Sequence, residues 1–236
     1  MPRVSRARQQ VAVTADLVIL TIRSGELCVL LVERGVPPFA GRLALPGGFL
    51  RGGESLEETA ARELREETGI AADELHLEQV GTYSAPDRDP RDPRVITCAF
   101  LAIAPDLPLP AAGSDARAAS WTPVAEARET GLAFDHDAIL RDAVRAAGRK
   151  LQFTTIATAF CGAEFTIGDL RAVYEAVWEV ELDKPNFHRK VTDADGFVIP
   201  TGGRRSSANG RPAALYRAGP AESLVPPMMW SRNARS

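Results

Sequence analysis

The sequence predicts an α/β fold in two parts: a mixed sheet with helices on its faces over residues 1–149, then a three-helix unit closed by a strand pair over residues 150–218. Three observations predict it. Runs of β-branched and aliphatic residues alternate with helical stretches as far as Arg149, the order expected of helices packed on a sheet. Beyond that point the order becomes three helices followed by two strands. The charge changes sign at the same place: residues 1–147 carry 16 Lys and Arg against 22 Asp and Glu, whereas residues 148–236 carry 12 against 9. An acidic first part followed by a basic second part suggests that the second meets a polyanion.

The elements follow in order. Val11 to Ile22 and Leu27 to Glu33 flank the Ser24-Gly25-Glu26 turn and read as a hairpin. Arg42 to Leu45 gives a short strand leading into Pro46-Gly47-Gly48. Gly48 to Ile70 then reads GFLRGGESLEETAARELREETGI. Ser55 is a good N-cap, Glu58 three residues later completes a capping box, and Gly69 supplies a left-handed stop, which predicts a helix over about Leu56 to Thr68. Within it Glu63, Glu66 and Glu67 stand at i, i+3 and i+4, three carboxylates on one side. Their repulsion turns into binding if a hard divalent cation, Mg²⁺ or Mn²⁺, joins them and completes its shell with substrate phosphates. Diphosphate cleavage is the chemistry such a site suits. The plainer alternative is a solvated helix of ordinary pairs, Glu58 with Arg62 and Arg62 with Glu66.

This segment resembles a Nudix box, with every fixed position of that family's pattern present. The resemblance implies Mg²⁺-assisted attack of water on a nucleoside diphosphate linked to another moiety. It further implies that Glu63, Glu66 and Glu67 hold metal or activate water and that Arg62 orients a carboxylate. Glu54 would support the loop and helix, and the Gly47-Gly48 backbone would approach the metal.

Strands are predicted at Leu75 to Ser84, Arg94 to Ile103 and Ala118 to Trp121, and a helix at about His136 to Arg149 capped by Asp135. The proline-rich Asp87 to Pro93 loop is either a connector or a source of ligand contacts. It resembles the loop of Nudix proteins that recognise ADP-ribose, which would make Arg88 and Arg91 contacts to phosphate or ribose. In the second part, Thr154 to Phe160 reads as a short helix. Thr166 with Asp169 caps the next, and a third starts at Asp183 with Pro185 in its first turn, where a missing amide is harmless. Phe187 and Val191, one turn apart, should face inward and leave Lys184, Asn186, His188, Arg189 and Lys190 largely exposed. Gly196 should end that helix. Phe197 to Pro200 and Ala213 to Tyr216 read as strands, with Gly202 to Arg211 a flexible basic loop containing Arg204, Arg205 and Arg211.

That order is the order of a winged helix-turn-helix, in which one helix enters the major groove and the wing reaches backbone or minor groove. Asn186 and Arg189 would read base edges, since Asn pairs with adenine and Arg with guanine. A small helical dimerisation module is the alternative. Phe165 to Val191 (FTIGDLRAVYEAVWEVELDKPNFHRKV) and Gly210 to Arg217 (GRPAALYR) resemble the C-terminal domain of the NrtR family, Nudix-related regulators of NAD metabolism. The resemblance, over residues 11–218, implies a homodimer on double-stranded operator DNA, repression of NAD-biosynthesis genes, and ADP-ribose or a related nucleotide as the signal that weakens DNA binding. Sugar-responsive Nudix regulators share the architecture. The competing reading is an active Mg²⁺-dependent ADP-ribose pyrophosphatase with an accessory C-terminal domain.

Composition excludes other classes. With 45% hydrophobic and 25% charged residues the chain has a soluble globular make-up. It has no apolar run of membrane-spanning length and no apolar N-terminal segment like a signal peptide, so a cytoplasmic location without membrane association is expected. Cys28, Cys98 and Cys161, and His76, His136 and His188, are too scattered for a zinc site and predict buried free thiols. Residues 219–236 are expected to form a disordered tail.

Overall fold

The computed structural model describes residues 10–69, 75–105, 116–207 and 210–229. Strands β1 (Val11–Arg23) and β2 (Glu26–Arg34) form the first hairpin, paired from Leu20 with Val29 to Arg23 with Glu26. Only Ser24 and Gly25 make its turn, both at positive φ (51° and 83°), as a two-residue hairpin loop twisted with its strands requires. The sheet continues through β3 (Leu43–Ala44), β4 (Gly47–Phe49), β5 (His76–Tyr83), β6 (Arg94–Ile103) and β7 (Ala116–Pro123). Its main path runs β3-β2-β1-β6-β5, with β4 on the first half of β1 and β7 on β2; β6 lies parallel to β1.

Both faces of this sheet are covered, and the central strands divide their apolar side chains by the two-residue period. Ala15, Leu17 and Ile19 of β1 and Cys98, Phe100 and Ala102 of β6 pack under helix α1 (Leu56–Thr68) with Ala60 and Leu64. Val18 and Leu20, with Ala99, Leu101 and Ile103, pack on the opposite face. There they meet α2 (Val124–Thr130), which the sequence pattern did not reveal, and α3 (His136–Phe153).

Helix α3 runs through the boundary expected at residue 149. Its Leu151 belongs to the same continuous core as Leu170, Val173 and Tyr174 of α4 (Ile167–Trp178) and Phe187 and Val191 of α5 (Lys184–Asp193). Trp178 Nε1 donates to Gly148 O at 2.9 Å, a direct bond between α4 and α3. A short 3-10 helix (Ile156–Phe160) precedes α4. The Thr166–Asp169 capping box is present, and Asp183 caps α5 by accepting from the Asn186 amide. Tyr174 is fully buried, edge-on to Trp178 and Phe187 at centroid distances of 4.8 and 5.3 Å.

The structure corrects several expectations. Asp135 does not cap α3 with its side chain, which turns to Arg88 instead. Helix α5 ends at Asp193, before Gly196. The basic loop expected at Gly202 to Arg211 is largely strand: β8 (Val198–Ser207) pairs antiparallel with β9 (Gly210–Ala218), placing Arg204 opposite Ala214 and Arg205 opposite Ala213. A register shift between Pro200 and Arg204 absorbs Gly202 and Gly203, which read as loop. Residues 219–229 are not a loose tail, because Leu224 and Met228 bury in the core. Their backbone amides donate to Phe153 O and Gln152 O, at 2.8 Å each, at the end of α3. The expectation for residues 230–236 lies outside the described residues. Cys28 and Cys98 are buried free thiols, while Cys161 is half-buried. No helix among the described residues is long and apolar enough to cross a membrane.

Candidate functional site

The box forms a loop and helix knotted by one guanidinium. Arg62 donates from Nε to Glu54 Oε1 at 2.8 Å, from Nη2 to Phe49 O at 3.2 Å, and from Nη1 to Glu63. Its Nη1 also lies 3.5 Å from Glu66 Oε2. Glu54 in turn accepts from the Thr59 hydroxyl at 3.0 Å and the Arg51 amide at 3.2 Å. The hydrogen bond from Arg62 holds the Glu54 carboxyl down at about 2, and the same bond raises the Arg62 guanidinium. Glu54 and Arg62 thus fix the frame on which Glu63 and Glu66 stand.

Glu63 is buried against the backbone of Gly48, so closely that a Cβ there would lie 1.8 Å from Glu63 Oε1. Only glycine permits that approach. Glu63, Glu66 and the Gly48 backbone line one side of a cavity of about 590 Å³. They supply hard oxygen donors of the kind Mg²⁺ accepts when phosphate and water complete its shell. No group of three metal-binding side chains converges among the described residues, and the side chain of Glu67 lies outside them.

Asp16, Arg88 and His136 also line the cavity and belong to a buried charge network that the sequence did not disclose. Arg88, 3% exposed at its side chain, donates to Asp135 from Nε at 2.9 Å and from Nη2 at 2.7 Å, and reaches Asp16 Oδ2 at 3.4 Å. His136 Nδ1 accepts the Leu45 amide at 2.9 Å, so the ring proton sits on Nε2, 3.5 Å from Asp16 Oδ2. Burial pushes the Asp16 carboxyl up, but the His136 hydrogen bond and the Arg88 charge outweigh it and hold it below its ordinary value. Arg88 therefore reaches the cavity as a cation already paired twice. Arg91 is more open: it pairs with Asp89 and lies over the rings of Phe49 and Phe134, 5.0 and 5.2 Å from their centroids. Arg34 covers Phe134 at 4.7 Å. Cations and aromatic faces so placed can take a diphosphate and a planar ring. Asp16 had one legible signal, a lone carboxylate in the apolar run of β1; Asp135, His136 and Phe134 had none beyond lying together.

In the second part, Lys184, Asn186, His188 and Arg189 are exposed on α5 while Phe187 and Val191 are buried. Arg189 Nη2 donates to Asn186 Oδ1 at 3.0 Å, one helical turn away. Lys190 is half-buried, its Nζ 2.7 Å from Met229 O. On β8, Arg204 is exposed, but Arg205 bonds Asp169 Oδ2 at 2.7 Å and Glu164 O at 3.2 Å. The Arg211 side chain lies outside the described residues.

Comparison with known proteins agrees in both parts. Residues 11–143 match the NUDIX domain family, and residues 158–218 match the NrtR DNA-binding winged helix domain. The chain is 31% identical, over 86% of its length and 80% of the relative's, to an "ADPR responsive transcriptional repressor NtrR" of Acinetobacter baylyi. It superposes on Shewanella oneidensis NrtR solved with a 27mer DNA, with TM-score 0.75 and 30% identity over 88% of this chain and 94% of that one. It is also 42% identical over 119 residues, 50% of this chain and 66% of the relative, to an ADP-ribose pyrophosphatase of Methanocaldococcus jannaschii. Nudix hydrolases generally use a divalent metal, which the oxygen donors at Glu63 and Glu66 suit. With a Nudix domain and an NrtR winged helix in this order, and a likeness to an NrtR over 88% of its length, the chain belongs to the NrtR family.

Proposed function

We propose that this protein is a DNA-binding transcriptional repressor of NAD-metabolism genes that senses ADP-ribose, or a related nucleotide, in its Nudix cavity. The observation that carries the reading is the likeness to an NrtR solved on DNA across both domains. The relative from Acinetobacter baylyi, named as responding to ADPR, supports the effector. So does the cavity: 590 Å³ lies within the range of small-molecule sites, and its walls offer arginines for a diphosphate and phenylalanines for a base. In this reading Arg91, with Arg88 behind it, meets the phosphates, and Asn186 and Arg189 meet base edges. Lys184, His188, Lys190, Arg204 and Arg211 serve the DNA backbone. The acting species is a cytoplasmic homodimer whose two winged helices span two half-sites. A gel-shift titration on the DNA upstream of its own gene tests the reading: a specific complex should form and ADP-ribose should dissolve it. A complex indifferent to ADP-ribose would reject the effector.

A second activity is compatible with the first. The full set Glu63, Glu66 and Glu67, with the pyrophosphatase relative, supports Mg²⁺- or Mn²⁺-dependent hydrolysis of ADP-ribose to AMP and ribose 5-phosphate. AMP release under saturating metal, lost in Glu66→Gln/Glu67→Gln, is the expected result; no AMP after prolonged incubation would exclude it.

A further inference from the structure

A second cationic surface shares no residue with the lining of the Nudix cavity or with α5. Arg128 of α2 and Arg141, Arg145 and Arg149 of α3 surround an open groove of about 380 Å³ whose floor includes Gly148 and Trp178. The three α3 arginines recur every fourth residue, so they project from one face about 6 Å apart along the axis. Like charges at that spacing repel and weaken a helix. Acidic neighbours compensate only part of the row: Arg145 lies 3.5 Å from Asp142, and Arg128 lies 3.1 Å from Glu179. The side chains of Arg141 and Arg149 are exposed and make no ion pair or hydrogen bond with another described residue.

The position of the groove says what it can meet. Trp178 Nε1, bonded to Gly148 O, clamps the end of α4 to the arginine helix. Glu179, at the groove's edge, is the left-handed C-cap of α4, and four residues later Asp183 caps α5. The row therefore flanks the turn that delivers the N-terminal end of α5, the end of a recognition helix that meets base edges. A free phosphate ion would be held by cations converging at a point. These guanidiniums are spread along about 12 Å of helix and are open to solvent, which suits an extended polyanion with one charge per about 3.4 Å of axis on each strand.

We propose that the Arg141–Arg145–Arg149 row, with Arg128, is a DNA-contact surface that holds the sugar–phosphate backbone flanking the bases met by α5. The inference rests on the DNA-binding reading above and extends the interface from the winged helix onto the helix that joins the domains.

The test is fluorescence anisotropy at four salt concentrations with two 40-base-pair duplexes, one from the DNA upstream of the protein's own gene and one of scrambled sequence. The triple variant Arg141→Gln/Arg145→Gln/Arg149→Gln should bind both duplexes at least about tenfold more weakly at low salt, with a log–log salt slope reduced by about two to three units. The triple Lys variant should recover most of the slope, since charge and not shape is read. Unchanged affinity and slope in the Gln variant, while Asn186→Ala/Arg189→Ala loses the upstream duplex, would overturn this inference and leave the regulator reading standing. Dissociation of the dimer by the Gln variant in sedimentation, with the salt slope per protomer unchanged, would make the row a subunit interface and also overturn it. A wild-type protein that binds neither duplex would remove the regulator reading and this inference together.

Discussion

Arg88 and Asp135 join the ligand cavity to the helix that enters the second domain: Arg88 Nη2 lies 2.7 Å from Asp135 Oδ1, at the start of α3. The other end of α3 is held to α4 and to residues 224 and 228 by hydrogen bonds from Trp178, Leu224 and Met228. A phosphate group drawn to Arg88 would compete with Asp135 and shift α3, the helix that packs in both parts. Asp135→Asn should therefore cost about 1 to 3 kcal/mol in urea unfolding, because a part-buried charge-assisted bond is weakened. It should also blunt the response of DNA binding to ADP-ribose. A variant with wild-type stability and wild-type response would show that this contact carries neither.

Glu54 gives the loop-helix frame a pH limit. Its carboxyl is held at about 2 by the Arg62 hydrogen bond, against an ordinary value of 4.5. A depressed acid stabilises the fold fully above its unfolded value and loses that contribution as pH falls from 4.5 towards 2. Glu54→Gln should flatten the loss of thermal stability across that window, and a carboxyl titration by NMR should find Glu54 still ionised at pH 3. A Glu54 that titrates near 4.5 would contradict the Arg62 knot.

Arg204 and Arg205 are neighbours on β8 with different work to do. Arg205 is committed to Asp169 and Glu164, whereas Arg204 is exposed. Arg204→Ala should lower the salt slope of DNA binding by about one unit, and Arg205→Ala should change it less. The Arg205 change should instead lower the melting temperature slightly, as expected for the loss of a half-exposed ion pair worth at most about 1 kcal/mol. Equal slopes for both variants, each below wild type, would show that DNA releases Arg205 from Asp169.

Tyr174 carries a buried hydroxyl with no hydrogen-bond partner among the described residues. Burial also raises its phenol above the ordinary range. Removing an unsatisfied buried hydroxyl relieves a desolvation cost of about 1 to 3 kcal/mol. Tyr174→Phe should thus be neutral or stabilising in thermal unfolding, and a clear loss of stability would reveal a partner for the hydroxyl, an internal water included.

What the sequence disclosed was local. The capping boxes at Ser55–Glu58 and Thr166–Asp169, the proline in the first turn of α5 and the inward pair Phe187 and Val191 are each written within a few residues, and all are present. What it hid was long-range. Asp16, Arg88, Asp135 and His136 meet only because β1, the loop before β6 and the start of α3 converge, so the ion pairs of Arg88 within the fold had no local signal. Leu224 and Met228 lie in a proline-containing stretch beside Val225 and Met229, which stay exposed, and no periodicity announced which of the four bury. The two glycines in β8 suggested a loop because a strand irregularity and a loop use the same residues.

The central claim is that ligand and DNA are linked through one folded unit, and linkage is reciprocal: if ADP-ribose weakens DNA binding, DNA must weaken ADP-ribose binding by the same factor. The direct measurement is ADP-ribose affinity by calorimetry, without metal so that no turnover occurs, on the free protein and on its complex with the upstream duplex. The account predicts weaker binding to the complex, by a factor equal to the loss of DNA affinity at saturating ADP-ribose. Identical affinities in the two states would contradict it and leave the domains merely joined.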